Sequence, residues 1–178
     1  MITETIFAVS TNDSRPIHTG ALFEITDQGL TMVAVDGFRL AIRREPLEKI
    51  DGVVIHYVGN PSTTAQANRN YFESLSSGET ETYASSHFVV GLEGEVIQCI
   101  PLTEIAYASN TRNADTVAIE VCHPDETGQF SPVTYQRVVE LTAWLCRTFG
   151  LDPETDVIRH YDVTEKLCPL YYVEHPEA

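Results

Sequence analysis

The sequence predicts an α/β domain that is preceded by a β-rich N-terminal extension. From Val53 onward, short apolar runs typical of strands alternate with segments of helical spacing. Before that point, three apolar runs follow one another with only turn sequences between them. The change from one pattern to the other predicts two parts, residues 1–48 and residues 49–178.

The N-terminal part is expected to form the end of a helix and then a β-meander. Residues 5–10 have the pattern of a helix end, and residues 12–16 that of a turn. Three strand-like runs joined by glycine-containing turns follow, at residues 20–25, 30–35 and 38–43. Because the outer strands of such a sheet present unpaired backbone groups, we expect this part to find a partner surface.

The second part opens with a strand at residues 53–58, which carries His56 among aliphatic side chains. Turn residues at 60–62 favour the start of a helix that reaches residue 75. The other expected elements are a hairpin (87–91 and 95–100), a strand (116–122), a helix from Pro132 to a C-cap at Gly150, and a strand ending at Arg159. The polar loop at 107–115 has the composition of a loop that borders a cleft.

The charge of the chain argues against a nucleic-acid or membrane partner. The sequence has 11 Lys and Arg against 26 Asp and Glu, a formal net charge of −15. Phosphate backbones and anionic lipid surfaces both attract cationic protein surfaces. With 43% hydrophobic and 21% charged residues, the composition is that of a soluble globular protein.

The cysteines and the N-terminus predict a protein that is cytoplasmic as synthesised. The four cysteines lack the close, repeated spacing of a disulfide scaffold, which favours reduced thiols. The first residues contain no basic region followed by a long apolar run, so no signal peptide is expected. No segment approaches the roughly 18 consecutive apolar residues of a membrane-spanning helix.

Metal-ligating side chains occur within one predicted strand and directly after another. His160 and Cys168 fall within nine turn-rich residues, together with Lys166, and His56 interrupts an otherwise buried strand. Imidazole and thiolate both suit Zn²⁺, and a catalytic zinc takes three protein ligands. A lone histidine or cysteine is more often a core or surface residue, but these sites together favour a zinc centre.

Glu120 stands out because it lies within the apolar strand at residues 116–122. Alternation places Val117, Ile119 and Val121 on one face of this strand, and Ala118, Glu120 and Cys122 on the other. A carboxylate in such a strand is costly unless it has a partner or a function. The alternative is an ordinary glutamate on an edge strand.

Four blocks of the second part resemble one enzyme family. The blocks are VVIHYVGNPSTTAQANRNYF, SSHFVVGLEGEVIQ, TVAIEVCHP and RHYDVTEKLCP, in that order. They are similar to the zinc-dependent N-acetylmuramoyl-L-alanine amidases of the amidase-2 type, which include phage endolysins and are related to peptidoglycan-recognition proteins. The resemblance spans residues 50–176 and implies a mixed central β-sheet flanked by helices.

The resemblance also implies an activity and the residues that carry it. Such enzymes hydrolyse the amide bond between N-acetylmuramic acid and the L-alanine of the peptidoglycan stem. Residue by residue, His56, His160 and Cys168 correspond to the zinc ligands, Glu120 to the glutamate that orients or deprotonates the zinc-bound water, and Lys166 to a lysine that stabilises the oxyanion. The protein would then act on the cell wall after release or delivery.

Three further residues are expected to line the substrate cleft, namely His87, Tyr107 and Asn110. One departure from the family pattern lies beside them, because many relatives carry an aromatic residue and a histidine where this chain has Tyr107 and Ala108. That difference affects the expected substrate contacts and leaves the expected metal site unchanged.

The N-terminal part resembles a different protein. The stretches FAVSTNDSRPIHTGALFEI and VAVDGFRLAIRRE are similar to part of the bacterial DNA polymerase III β sliding clamp. About 45 residues of one repeated domain cannot close a clamp ring, so the clamp function is not implied. We expect a fusion in which this segment holds no catalytic residue and packs on the amidase domain or, as a homodimer, on the same segment of a second chain.

Two other functions stay open from the sequence. The chain could be a peptidoglycan-binding module without catalysis, since some relatives lack the cysteine ligand and only bind. The presence of Cys168, Glu120 and Lys166 argues against this alternative. The chain could also be a clamp-derived interaction protein, which the acidic charge and the short clamp-like segment both disfavour.

Overall fold

The computed structural model describes residues 8–9, 20–26, 29–36, 40–45, 49–75 and 82–178. The chain divides into two compact units, Met1–Lys49 and Ile50–Ala178. Apart from Ala8 and Val9, the predicted helix end at residues 5–10 lies outside the described residues, as do the predicted turn at 12–16 and the predicted loop at 76–80.

The first unit contains an antiparallel sheet with a buried cluster of alanines. Its strands are β1 (Ala21–Thr26), β2 (Gly29–Val35) and β3 (Leu40–Glu45), paired in chain order. The predicted β-rich extension is therefore confirmed, and the described third strand covers Leu40–Glu45 where residues 38–43 were expected. Ala8, Ala34 and Ala41 form the buried cluster described for this unit. Alanines remove little apolar area from water, so this cluster contributes only modest hydrophobic stabilisation.

The second unit is built on a mixed sheet, as the sequence predicts. Its described strands are β4 (Gly52–Tyr57), β5 (Phe88–Val90), β6 (Val96–Gln98), β7 (Thr116–Val121) and β8 (Val157–Arg159), in the order β6-β5-β7-β4-β8. Strand β6 is antiparallel to β5, whereas β5, β7, β4 and β8 are mutually parallel. The carboxyl ends of β7, β4 and β8 consequently meet at one edge of the sheet.

Helices cover the sheet, and their ends follow the sequence signals. They are α1 (Ala65–Leu75), α2 (Pro132–Phe149), α3 (His160–Thr164) and α4 (Leu170–Glu174). At the start of α2, the Ser131 hydroxyl accepts a hydrogen bond from Thr134 N–H, and the helix ends at Gly150, whose φ of 69° is left-handed. No described helix is both long and apolar enough to cross a bilayer.

The segment 160–164 differs from the sequence expectation, because a short helix replaces the predicted turns. Helix α3 is stabilised at its first turn by Asp162, whose carboxylate accepts a hydrogen bond of 2.8 Å from Arg159 N–H. The Arg159 guanidinium also binds that carboxylate. This local ion pair offsets the missing N-cap hydroxyl, so a helix can start directly at the end of β8.

The two faces of the sheet differ in what they pack against. Val117, Ile119 and Val121 of β7 belong to a core cluster that also includes Val138 and Leu145 of α2. On the opposite face, a smaller cluster joins Val58, Val89, Ala65 and Cys122. By strand alternation, His56 and Glu120 lie on the face of the smaller cluster.

Candidate metal centre

The register of three parallel strands places Glu120, His56 and His160 side by side. The register pairs His56 of β4 with Glu120 of β7. On the other side of β4, Ile55 pairs with Arg159, so His160 follows beside His56. Neighbouring strands lie about 4.8 Å apart, which brings these three side chains together at the carboxyl edge of the sheet.

Cys168 reaches the same place through a turn that folds back over α3. The backbone N–H of Tyr161 donates to the Cys168 carbonyl at 2.9 Å, and Cys168 N–H donates to the Lys166 carbonyl at 2.7 Å. These two bonds fix the cysteine backbone against the first turn of the helix. The nine residues from His160 to Cys168 therefore form one short helix and the turn that returns to it.

His56, His160 and Cys168 form a compact, buried cluster. Their side chains are 2%, 6% and 2% exposed. His56 Nδ1 lies 3.1 Å from His160 Nδ1 and 4.0 Å from Cys168 Sγ. One ligand atom from each residue lies within 4.8 Å of the others, so the three side chains can hold a metal ion.

Burial keeps all three side chains uncharged in the absence of a metal. Desolvation, followed by His160 and Lys166, lowers the pKa of His56 to about 3. Desolvation and then Lys166 lower the pKa of His160. Desolvation raises the pKa of the Cys168 thiol to about 12. The imidazoles therefore keep a free lone pair, and a bound cation would stabilise the thiolate.

The outer nitrogens of the two histidines have different surroundings. His56 Nε2 lies 3.1 Å from the hydroxyl of Ser109, which is 1% exposed. His160 Nε2 is buried and has no hydrogen-bond partner among the described residues. In the sequence, Ser109 is marked only by its position in the polar loop at 107–115, which was expected to border a cleft.

Glu120 occupies an environment that favours its neutral form. Its Oε2 is buried and has no hydrogen-bond partner in the described part of the chain. Desolvation raises the pKa of Glu120 to about 8, against an opposing effect of Lys166. Lys166 itself is exposed. A carboxyl group with this pKa can exchange a proton near neutral pH.

The cluster opens into a cavity of about 400 Å³. Glu120, Lys166, Tyr107 and Asn110 line this cavity, as do the three residues of the cluster. The cavity is also lined by residues that the sequence did not predict to be there, including Tyr57, Phe72, Tyr83, Ala84, Ser85 and Asn113. These positions are brought to the cavity by the tertiary fold, and no local pattern marks them.

His87 does not line this cavity. It is 1% exposed, and both ring nitrogens are occupied by backbone groups. Its Nε2 donates to the Glu104 carbonyl at 2.9 Å, and its Nδ1 accepts a hydrogen bond of 3.0 Å from Ala118 N–H. The side chain therefore connects the loop after β6 to strand β7.

The fold and the cluster define an α/β protein with a metal-compatible site in a cavity. The chain belongs to the N-acetylmuramoyl-L-alanine amidase family, whose profile matches residues 46–170. This family is metal-dependent, in agreement with the His-His-Cys cluster. A second profile, that of the central domain of the DNA polymerase III beta subunit, matches residues 1–70.

Individual relatives agree with the amidase family and with its fold. The N-acetylmuramoyl-L-alanine amidase BlyA of Bacillus subtilis (strain 168) is 33% identical over 152 residues, which cover 72% of this chain and 40% of that protein. The PlyG catalytic domain, solved in solution, has a TM-score of 0.62 at 20% identity and covers 74% of this chain and 77% of its own. The similarity to the PlyG catalytic domain supports the fold.

The N-terminal segment has a relative of its own. The beta sliding clamp of Halalkalibacterium halodurans is 53% identical over 51 residues, which cover 29% of this chain and 13% of the clamp. The chain spans about two fifths of the length of the BlyA protein and a much smaller share of the clamp. Strand β4 falls in the overlap of the two profiles, but its partners β7 and β8 place it in the second unit.

Proposed function

We propose that this chain is a zinc-dependent N-acetylmuramoyl-L-alanine amidase that hydrolyses the bond between N-acetylmuramic acid and L-alanine in peptidoglycan. The observation that supports this most strongly is the buried cluster of His56 Nδ1, His160 Nδ1 and Cys168 Sγ beside Glu120. Family membership supports the same activity. The activity requires each of these residues in a specific role.

The donor set fits zinc. In a tetrahedral site with Zn–N bonds near 2.0–2.1 Å and Zn–S near 2.3 Å, two ligand nitrogens lie about 3.3 Å apart, and nitrogen and sulfur about 3.6 Å. The corresponding distances in this cluster are 3.1 Å and 4.0 Å. His56, His160 and Cys168 would hold the ion and leave a fourth position for water. When bound, zinc lowers the pKa of that water and polarises the amide carbonyl.

Glu120 is proposed as the general base. Its Oε2 has no described hydrogen-bond partner, so the ionised form of the carboxyl group is available to accept a proton from the attacking water. Its raised pKa then lets the same carboxyl return that proton to the leaving nitrogen. The parallel register with His56 holds the carboxylate beside the metal ligands without needing a flexible loop.

Lys166 is proposed to stabilise the negative charge that develops on the carbonyl oxygen. Lys166 lines the cavity, and the backbone bond from Cys168 N–H to the Lys166 carbonyl keeps the two residues in one turn. A positioned cation contributes most where charge develops in the transition state. The cavity supplies no other Lys or Arg among its described lining residues.

The decisive test is turnover of a synthetic N-acetylmuramoyl-L-alanyl peptide by the purified chain. We expect the chain to release the peptide with a free L-alanine amino group, and mass spectrometry would detect this product. Binding of this substrate without release would instead identify a peptidoglycan-binding module.

We further propose that residues 1–48 are a clamp-like extension and that residues 49–178 form the amidase domain. All the residues to which we assign a chemical role lie in the second of these segments. The extension is proposed to mediate pairing with a second chain, because its described sheet has β1 and β3 as outer strands.

A further inference from the structure

We propose that Ser109 is a positioning residue for the metal site, because its hydroxyl fixes the ring of His56 with Nδ1 directed at the metal and the proton on Nε2. This inference rests on the proposed function, since it assumes that His56 is a metal ligand. It concerns a residue outside the ligand set. It also assigns a role to the loop between β6 and β7.

The hydrogen-bond chemistry of imidazole determines the direction of this contact. His56 Nδ1 faces His160 Nδ1 and Cys168 Sγ, so it is the nitrogen that would bind a metal. A neutral imidazole that uses one nitrogen as a ligand carries its proton on the other. His56 Nε2–H therefore donates to the Ser109 hydroxyl oxygen at 3.1 Å. A hydrogen bond to the outer nitrogen of a ligand fixes the ring orientation and raises the basicity of the ligand.

Ser109 occupies a helix N-cap position, but its side chain does not make the hydrogen bond that is usual there. Ser109 is the N-cap of the 3₁₀ helix Asn110–Arg112, yet its hydroxyl makes no capping bond. Serine at an N-cap normally accepts a bond from the backbone of the first turn. Here the hydroxyl contacts His56 Nε2 instead, from a side chain that is 1% exposed.

Other side chains hold the Ser109 backbone in place. Asn113 Oδ1 accepts hydrogen bonds from Ser109 N–H at 2.6 Å and from Ala108 N–H at 3.1 Å. At Tyr107, the N–H donates to the Ser85 hydroxyl at 2.8 Å, and the carbonyl accepts a bond of 3.1 Å from Ser85 N–H. These hydrogen bonds hold the backbone of residues 107–109 in place, so the Ser109 side chain reaches His56 from a fixed backbone.

The two histidines of the cluster provide an internal comparison. His56 has Ser109 at its outer nitrogen, whereas His160 Nε2 has no described partner. His56 comes from β4, an internal strand of the sheet, whereas His160 follows the edge strand β8. Among the described residues, the serine hydroxyl therefore contacts the histidine of β4 and leaves the outer nitrogen of His160 unpartnered.

The test measures zinc affinity of the full chain by competition with a chromophoric chelator. We expect Ser109→Ala to weaken zinc binding by about 10- to 100-fold, the usual effect of removing an outer-shell partner of a metal ligand. Ser86→Ala is the matched control, because it removes another buried serine hydroxyl, whose described bonds are to the Phe88 and Ala118 carbonyls and which does not line the cavity. This control should bind zinc within about threefold of the unmodified protein, a difference well below the outer-shell effect.

A spectroscopic measurement separates positioning from general loosening of the loop. In the zinc-loaded protein, the His56 Nε2 proton should be visible by NMR and protected from exchange with water, and Ser109→Ala should remove that protection. If Ser109→Ala binds zinc as tightly as the unmodified protein, or if Ser86→Ala weakens binding equally, the inference is wrong. Failure of the unmodified protein to bind zinc would instead overturn the proposed function.

Discussion

His56 and Glu120 are direct partners in the register of two parallel strands, β4 and β7. One is a candidate metal ligand and the other the candidate general base, and the sheet itself sets their separation. Strand β8 adds His160 on the other side of His56. Because parallel strands form a rigid backbone ladder, these three side chains need no loop to bring them together.

The first prediction concerns the metal. We expect the purified protein to contain about one zinc per chain, and His56→Ala, His160→Ala and Cys168→Ala each to lose it, because three ligands are the minimum for such a site. Elemental analysis after dialysis measures this directly. His175→Ala, which changes an exposed histidine outside the cluster, should keep the metal. Full occupancy in all three ligand variants would contradict the site.

The second prediction separates chemistry from metal binding. We expect Glu120→Gln to retain zinc and to lose turnover by about two to three orders of magnitude, the scale typical of a general base. The amide keeps the size of the carboxylate but cannot accept the proton. Steady-state rates together with zinc content test this. A variant with normal zinc and nearly normal turnover would remove Glu120 from the mechanism.

The third prediction concerns the stability of the metal-free protein. The pKa of Glu120 is raised from 4.5 to about 8, so the folded state binds this proton more tightly than the unfolded state does. The stabilisation is fully present below pH 4.5 and is lost as the pH rises through about 8. Glu120→Gln cannot ionise and avoids this loss. Its melting temperature should therefore exceed that of the unmodified protein at pH 9, and the gap should close towards pH 4.

The comparison in that experiment isolates Glu120. The lowered pKa values of His56 and His160 destabilise the metal-free fold as the pH falls, but both proteins carry these histidines. Calorimetry of chelated samples across the pH range gives the difference between the two curves. A gap that stays constant with pH would show that Glu120 ionises normally in the folded protein.

The fourth prediction concerns the clamp-like segment. Leu22 in the outer strand β1 is 62% exposed, and exposed apolar residues on an edge strand favour pairing with another chain. We expect the full chain to be a dimer by light scattering and a chain lacking residues 1–46 to be a monomer that keeps its zinc and its turnover. A truncated protein that binds zinc but cannot cleave its substrate would give the segment a functional role.

Most of the fold follows from local sequence signals. Ser131, Pro132 and Gly150 mark the ends of α2 because capping chemistry and left-handed φ depend on single residues. Alternation in β7 correctly separates Ile119 from Glu120, because successive strand residues point to opposite faces. Helix α3 escaped prediction because its start depends on the Arg159–Asp162 pair and contains no usual N-cap residue.

Only some of the site residues can be predicted from the sequence. His56, His160 and Cys168 are recognisable because metal ligands are few in kind and their motifs are specific. Ser109 carries no such signal, since serine is common in loops and only the folded chain brings it to His56. His87 shows the converse: it lies in a recognisable motif, yet backbone groups occupy both its nitrogens.

The most direct test of the zinc amidase assignment is digestion of purified peptidoglycan, with the soluble products identified by mass spectrometry. We expect free stem peptides that begin at L-alanine and glycan strands left uncut. Chelation should stop their release, and added zinc should restore it. Products with new sugar reducing ends, cleavage within the stem peptide, or release that continues unchanged after chelation would contradict this function.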